Sequence, residues 1–350
     1  MKQVNLAQTP NYGHEAKWKK AKRKINSIIV ETIENTPFQF RLYRSYWHYK
    51  LTANKKTVNV STEIRKTHYL TEKPNYGAGI GHQLANWNTG LFFAGYFNIQ
   101  FAHSPFSTRK WDYFLGLGQG EVNAADLEKN RLFKIVRLPR FDSTNAAQVL
   151  LVKNIVASYN RSNILFRMES DQAYEKQWET YKILSQKFFS AEARQKDKII
   201  FAPDSLNIAI HIRRRMKIES VETWKSRGLE NKYYSNALSQ LLATIKTTKK
   251  IDIYLFSQGP VEDFPEFSQF ENMHYKMDMG PVESVLHMIY ADVLISSKSS
   301  FSYKPALISK GIKICPVTFW HQYPPTPDFI MADNDGNFDN SQLAALTITR

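Results

Sequence analysis

The residues best suited to chemistry stand together in LNIAIHIRRRMKIES, residues 206–220. An apolar run reaches His211, and after one more apolar residue come Arg213, Arg214 and Arg215 side by side. A guanidinium presents N–H donors in a planar fork, matches phosphate oxygens two at a time and stays charged at any cellular pH. Three in succession repel one another unless an anion, or carboxylates on neighbouring loops, offsets them. The spacing therefore predicts a diphosphate site at the tip of a buried strand, with Lys217 as a further cation. The nearest acids in sequence are Glu219 and Glu222.

A second segment suits the same anion. ADVLISSKSSFSYKPAL, residues 291–307, reads as a strand that enters a helix through serines and a lysine. Ser299 and Ser300 cap or open that helix, whose first N–H groups and dipole favour a phosphate. A third segment, NYGAGIGHQL, residues 75–84, places glycines at 77, 79 and 81. It lacks the offset of a dinucleotide fingerprint, because position 82 is His, and His103 and Ser104 stand where an acid is expected. Gly79 and Gly81 instead let backbone approach a ligand, with His82 and Gln83 at the following helix start.

Elements that would hold these residues can be read from the periodicity. Strand-like runs fall at 208–212, 251–257, 273–275, 293–296 and 312–316, with helix-forming segments at 231–245, 261–267, 282–290 and 301–309 between them. This alternation predicts a parallel sheet covered on both faces, whose strand C-terminal ends share one ligand-binding edge. The first half repeats the theme, with strands at 68–71, 99–103 and 163–168, a helix over 82–96 and a long helix within 171–193. A boundary at 196–205 divides a unit spanning 66–200 from one spanning 201–320, with a basic extension over 1–65 and a tail over 321–350. The expected fold class is α/β, with two Rossmann-like domains whose parallel sheets face a cleft.

Composition supports two cores: 350 residues, 43% hydrophobic and 13% aromatic. Forty-seven Lys and Arg against 32 Asp and Glu give a net charge of +15, which favours nucleic acid, an acidic membrane surface or phosphorylated small molecules as partners. Cys315 is the one cysteine, so an intrachain disulfide and a thiolate metal cluster are excluded, and a reducing, cytoplasmic setting is expected. No run approaches the roughly 18 apolar residues of a membrane span. The basic run KWKKAKRK, residues 17–24, reads as a solvated arm, with peripheral membrane contact as its alternative.

With these pieces placed, the chain resembles the GDP-fucose-dependent fucosyltransferases of the core α1,6, nodulation-factor and protein O-fucosylating type. The resemblance rests on H-x-R-R at His211, Arg213 and Arg214, on the strand–Ser–Ser–helix at Ser299 and Ser300, and on the glycine loop followed by His-Gln-Leu, over residues 76–316. Arg215 and Met216 replace the usual small residue and Asp. The resemblance implies a GT-B arrangement, a nucleoside-diphosphate sugar as donor and a glycan or glycoprotein as acceptor. It also implies that Arg213 clamps the β-phosphate, that His211 lies near the nucleotide and that both serines take phosphate oxygens.

Fixed cations, Arg213 and Lys217, can stabilise the departing diphosphate without a metal or other cofactor. The DND at 333–335 reads as a loop and not a metal motif. The general base is expected among Glu222, Glu219 and His82, in that order, because His82 has no carboxylate nearby in sequence to orient it. Glu283 is placed to accept from ribose or guanine, and Trp87, Trp111, Tyr113 and Phe114 to stack on an acceptor sugar or to fill the core. Two alternatives remain: a non-catalytic nucleotide-sugar or partner-binding module, and a nucleic-acid-binding protein, although no recognisable RNA- or DNA-binding motif appears.

Overall fold

The computed structural model describes residues 38–53, 65–159, 163–215, 220–277 and 279–344, with isolated positions between 21 and 36. Helix α1 (Arg44–Thr52) precedes strand β1 (Arg65–Glu72), helix α2 (Ile80–Tyr96) and strand β2 (Ile99–His103). Next come α3 (Arg109–Leu115), β3 (Val122–Asn123), α4 (Ala124–Lys129), β4 (Phe133–Arg137), α5 (Ala146–Ser158), β5 (Asn163–Met168) and α6 (Tyr181–Ser190). The five strands pair in parallel in the order β3-β2-β1-β5-β4.

The second unit runs β6 (Leu206–His211), α7 (Val221–Arg227), α8 (Asn231–Thr244), β7 (Ile251–Phe256), β8 (Met273–Lys276) and α9 (Pro281–Tyr290). It continues with β9 (Val293–Ile295), α10 (Ser300–Ile308), β10 (Ile312–Pro316), β11 (Phe329–Ala332) and α11 (Asn340–Ala344). All its strands are parallel, in the order β11-β10-β9-β6-β7-β8. Counted within the unit, this is the 3-2-1-4-5-6 order of dinucleotide-binding folds, and the strand order reverses between β6 and β9. The two ends that open this crevice carry the arginine cluster and the serine–lysine turn.

The expected strand runs form eight of the eleven strands among the described residues, and the differences have local causes. Segment 261–267 forms two 3₁₀ turns, Val261–Asp263 and Pro265–Phe267, in place of a helix. Pro265 lacks an N–H and holds Phe264 outside the helical region, at φ −127° and ψ 48°. The long helix expected within 171–193 is interrupted: Asp171 and Ala173 take φ of 62° and 56°, a 3₁₀ segment fills Tyr174–Thr180, and only α6 is regular. Residues 321–350, set apart as a tail, include β11, which adds the sixth strand beside β10. Strands β3 and β4 lie at sheet edges, where their largely exposed side chains leave no apolar alternation to read.

One continuous apolar cluster joins the units. Leu84, Leu115 and Phe188 of the first half belong to the same core as Val285, Tyr303 and Ile308 of the second. Residues 174–190, from the first half, hold the second through hydrogen bonds from Trp178 Nε1 to Gln322 Oε1 at 3.0 Å and Ser185 Oγ to the Ile308 carbonyl at 2.8 Å. Trp87 is sealed in the first core, donating from Nε1 to His103 Nδ1 at 3.0 Å, and Phe114 is buried as well, so neither offers a face to a sugar. Tyr113 is exposed and Trp111 packs partly buried against the shared core.

Candidate functional site

Where the two sheets' strand ends meet, a cleft of about 480 Å³ is lined from one side by Gly79, Gly81 and His82 and from the other by residues following β6, β7, β8 and β9. Its charge is one-sided. Arg213, Arg214, Arg227 and Lys298 line it, and among the described residues no Asp or Glu does. A confined volume with this lining focuses a positive potential on whatever enters.

Each cation is placed by a specific contact. Arg213 stacks toward the Trp224 ring, its guanidinium carbon 5.5 Å from the centroid. Arg214 donates to the Asp263 carbonyl at 3.0 Å and covers Phe264 at 4.2 Å, so the 3₁₀ turn at Pro265 serves to position it. Lys298, the lysine between the serines, donates to Asn334 Oδ1 at 3.1 Å, and burial lowers its ammonium pKa. Asn334 belongs to the DND stretch, which folds as a turn closed by bonds from the Asp335 and Asn337 N–H groups to Asp333 Oδ1, both at 2.9 Å. Arg227 reaches over the Trp320 ring at 4.8 Å, and both line the cleft.

Two helix N-termini add their dipoles. Gly79 is the N-cap of α2 and Ser299 that of α10, where its Oγ accepts from the Phe301 N–H at 3.2 Å. The two ends touch: a Cβ on Gly81 would lie 2.6 Å from the Ser300 carbonyl carbon and oxygen, so only glycine permits this approach. Ser300 Oγ lies 3.3 Å from His321 Nε2. Gln83, at the same helix start, is used internally, donating to the Ala78 carbonyl at 2.8 Å and to Ser107 Oγ at 2.9 Å. The glycine loop is thereby held against the cleft.

His211 is buried at the end of β6, its Nδ1 2.9 Å from Ser297 Oγ. Burial and the adjacent Arg213 push its pKa down to about 3, so the ring is neutral at cellular pH. His321 is similarly depressed, to about 2, by burial and by Lys304 and His82. A histidine whose folded pKa lies below its unfolded value loses stability as pH falls, because the unfolded chain binds more protons between the two values. Glu72 and Asp197, both raised by desolvation, act in the opposite sense, against three imidazoles once His287, which burial also depresses, is included. Thermal melting is therefore expected to move to lower temperature between pH 7 and pH 5, and an unchanged Tm over that interval would show that the imidazoles do not outweigh the raised carboxyls.

The opposite wall carries a pair absent from the sequence reading. His82 Nε2 lies 3.1 Å from Asp171 Oδ1, and Asp171 also accepts from Tyr174 Oη at 2.8 Å and Asn75 Nδ2 at 2.7 Å. Burial would raise this carboxyl, but the bonds from His82, Tyr174 and Asn75 outweigh it and hold Asp171 ionised well below the usual range. Asp171 sits three residues past β5, at a left-handed φ that Asp tolerates. The strand-end rule that singles out Arg213 would also have found it, had residues 171–173 not been assigned to a helix.

The remaining candidates lie elsewhere. Lys217 and Glu219 fall outside the described residues. Glu222 is exposed on the first turn of α7 and does not line the cleft. There its carboxylate is held down by its own backbone N–H and Ser220. Glu283 pairs across the interface with Lys110 at 3.2 Å, at the rim and outside the lining. Lys298, Arg227, Trp320 and Asp171 complete the site without having been among the sequence candidates.

No protein-family model matches the sequence, and neither does any curated protein. Among solved structures, POFUT1 in complex with GDP-fucose aligns with a TM-score of 0.41 at 11% identity, over 70% of this chain and 96% of that one. The E. coli heptosyltransferase WaaC with ADP-2-deoxy-2-fluoro heptose gives 0.39 at 12% identity, over 79% and 96%. The chain's own strand order and cleft define an α/β protein with two parallel sheets whose strand ends face one cationic cleft.

Proposed function

We propose that this protein is a glycosyltransferase that moves a sugar from a nucleoside-diphosphate donor to a hydroxyl of a glycan or glycoprotein. The observation that carries the reading is the cleft's lining: Arg213, Arg214, Arg227 and Lys298 converge on the switch point of the second sheet with no carboxylate among the described lining residues. A diphosphate there would meet guanidinium forks and two helix N-termini, and these stabilise it most when the glycosidic C–O bond breaks and charge collects on the leaving phosphate. GDP-fucose is the favoured donor, on the strength of the H-x-R-R motif at His211, Arg213 and Arg214.

His82 supplies the other half of the chemistry. With Nε2–H directed at Asp171, Nδ1 is left as the basic nitrogen, and the ionised carboxylate stabilises the imidazolium that forms. The acceptor oxygen bonds to the anomeric carbon as its proton passes to Nδ1, while the C–O bond to the diphosphate breaks on the far side. Attack and departure from opposite walls invert the configuration. In this reading cationic side chains do the work of a divalent ion.

The direct test is a thermal-shift panel of GDP, UDP and ADP and their sugars, run in excess EDTA. A GDP-specific rise in Tm that survives the chelator is the expected result. No stabilisation by any nucleotide would remove the donor reading, and binding without release of nucleoside diphosphate from any donor would favour a non-catalytic binding module.

A further inference from the structure

Helix α1 keeps Tyr46 and Tyr49 against the core but turns Trp47 and Leu51 outward. Its inner stripe is Ser45, His48 and Tyr49: Ser45 Oγ donates to the Arg137 carbonyl at 3.0 Å, the His48 ring stacks on Tyr159 at 3.9 Å, and Tyr49 packs on the core. The helix is thus fixed in register on the edge of the first sheet. Its outer stripe is Arg44, Trp47 and Leu51, at the three- and four-residue spacing of one face, with Trp47 51% and Leu51 74% exposed. A helix whose outer face met only water would carry polar side chains at those two positions.

The preceding 3₁₀ turn, Gln39–Leu42, continues the same surface. Trp47 Nε1 donates to the Arg41 carbonyl at 2.6 Å, the Arg41 guanidinium lies 5.1 Å from the Phe38 centroid, and Phe38 and Leu42 are both exposed. Four apolar side chains and the cations Arg41, Arg44 and Lys50 therefore share one patch. No acidic residue occurs from 35 to 62. Upstream, Ile25, Ile28 and Ile29 are exposed at helical spacing, directly after the basic run at 17–24.

We propose that this outer face of α1 docks the protein on an anionic lipid surface. Trp and Leu suit the boundary between headgroups and acyl chains, and Arg and Lys lying along the apolar side chains reach the phosphates with their charged ends. Each cation adds attraction that falls off within a screening length. A second copy of the chain fits poorly, because a symmetric contact would set Arg41, Arg44 and Lys50 against the same cations with no acid between them. Among the described residues no helix is long and apolar enough to cross a membrane, so the contact is interfacial.

The test sediments the full chain with vesicles of phosphatidylcholine alone and of phosphatidylcholine with phosphatidylserine. Salt is raised from about 0.1 M to about 1 M, where the screening length falls from about 10 Å to about 3 Å. The expected result is binding to the anionic vesicles only, lost at high salt and weakened about tenfold or more by Trp47→Ser with Leu51→Ser. Both positions are exposed, so Tm should be unchanged, and Arg41→Gln with Arg44→Gln gives a second variant that leaves the apolar side chains in place. Four outcomes would each overturn the proposal: no binding, binding indifferent to lipid charge, unchanged binding in both double variants, or a concentration-dependent dimer abolished by Trp47→Ser. Preference for an RNA competitor over anionic vesicles would likewise reassign the patch.

Discussion

Asp171→Asn is expected to slow release of nucleoside diphosphate from the donor by roughly 10²–10⁴-fold, the range contributed by a general base. The substitution keeps the shape of the side chain and one of its two acceptor oxygens, but it removes the charge that fixes the His82 tautomer and stabilises the imidazolium. His82→Gln should produce a loss of the same order, and the double variant should lose little more, since the two residues act as one unit. Nucleotide affinity should stay near wild type in all three, because the pair stands on the wall opposite the arginines. Glu222→Gln serves as the comparison and should leave turnover unchanged, as that side chain is exposed outside the cleft. Full activity in Asp171→Asn, or a large loss in Glu222→Gln, would return the base to the loop after β6.

Arg213→Ala should abolish nucleotide-dependent stabilisation and lower turnover by about 10²–10³-fold, as removal of a preorganised donor to developing negative charge does. The fold should survive. Arg213 follows β6 and is partly exposed, with its guanidinium carbon 5.5 Å from the Trp224 centroid, so its removal leaves the buried strand Leu206–His211 intact. Calorimetric titration with GDP would separate the two effects: weaker binding with unchanged melting in the absence of nucleotide supports the clamp, whereas unchanged affinity rules it out. Lys298→Ala offers a graded companion, because its depressed ammonium is tied to Asn334 and contributes charge without a guanidinium fork.

The second half was the more legible part of the sequence. Its strands are buried on both faces and read as continuous apolar runs, so β6, β7, β9 and β10 came out within a residue or two of their observed bounds. The placement of Arg213, Arg214, Ser299 and Ser300 along one wall of the cleft followed, because they are contiguous with those strands. What stayed hidden depends on distance along the chain. His82 and Asp171 are 89 positions apart and meet only because β1 and β5 pair side by side. Arg227, the last residue of α7, meets Trp320, which lies in the turn after β10, a pairing for which periodicity has no signal. Strand β11 was missed for a different reason: four residues beyond a polar loop carry too little pattern to separate a strand from a tail.

The apolar cluster that runs from Leu84 and Phe188 into Val285 and Tyr303 also bears on how such a protein can be taken apart. A cut in the 196–205 connection would leave each half with a raw hydrophobic surface, and residues 174–190 would be severed from the α10 carbonyl and the Gln322 side chain that they bind. An exchange of the first half for that of another protein would therefore have to carry α10 and its neighbours along with α2 and α6. The division of the chain into two sheets and the mechanical division of the polypeptide do not coincide, and melting should report one cooperative body rather than two.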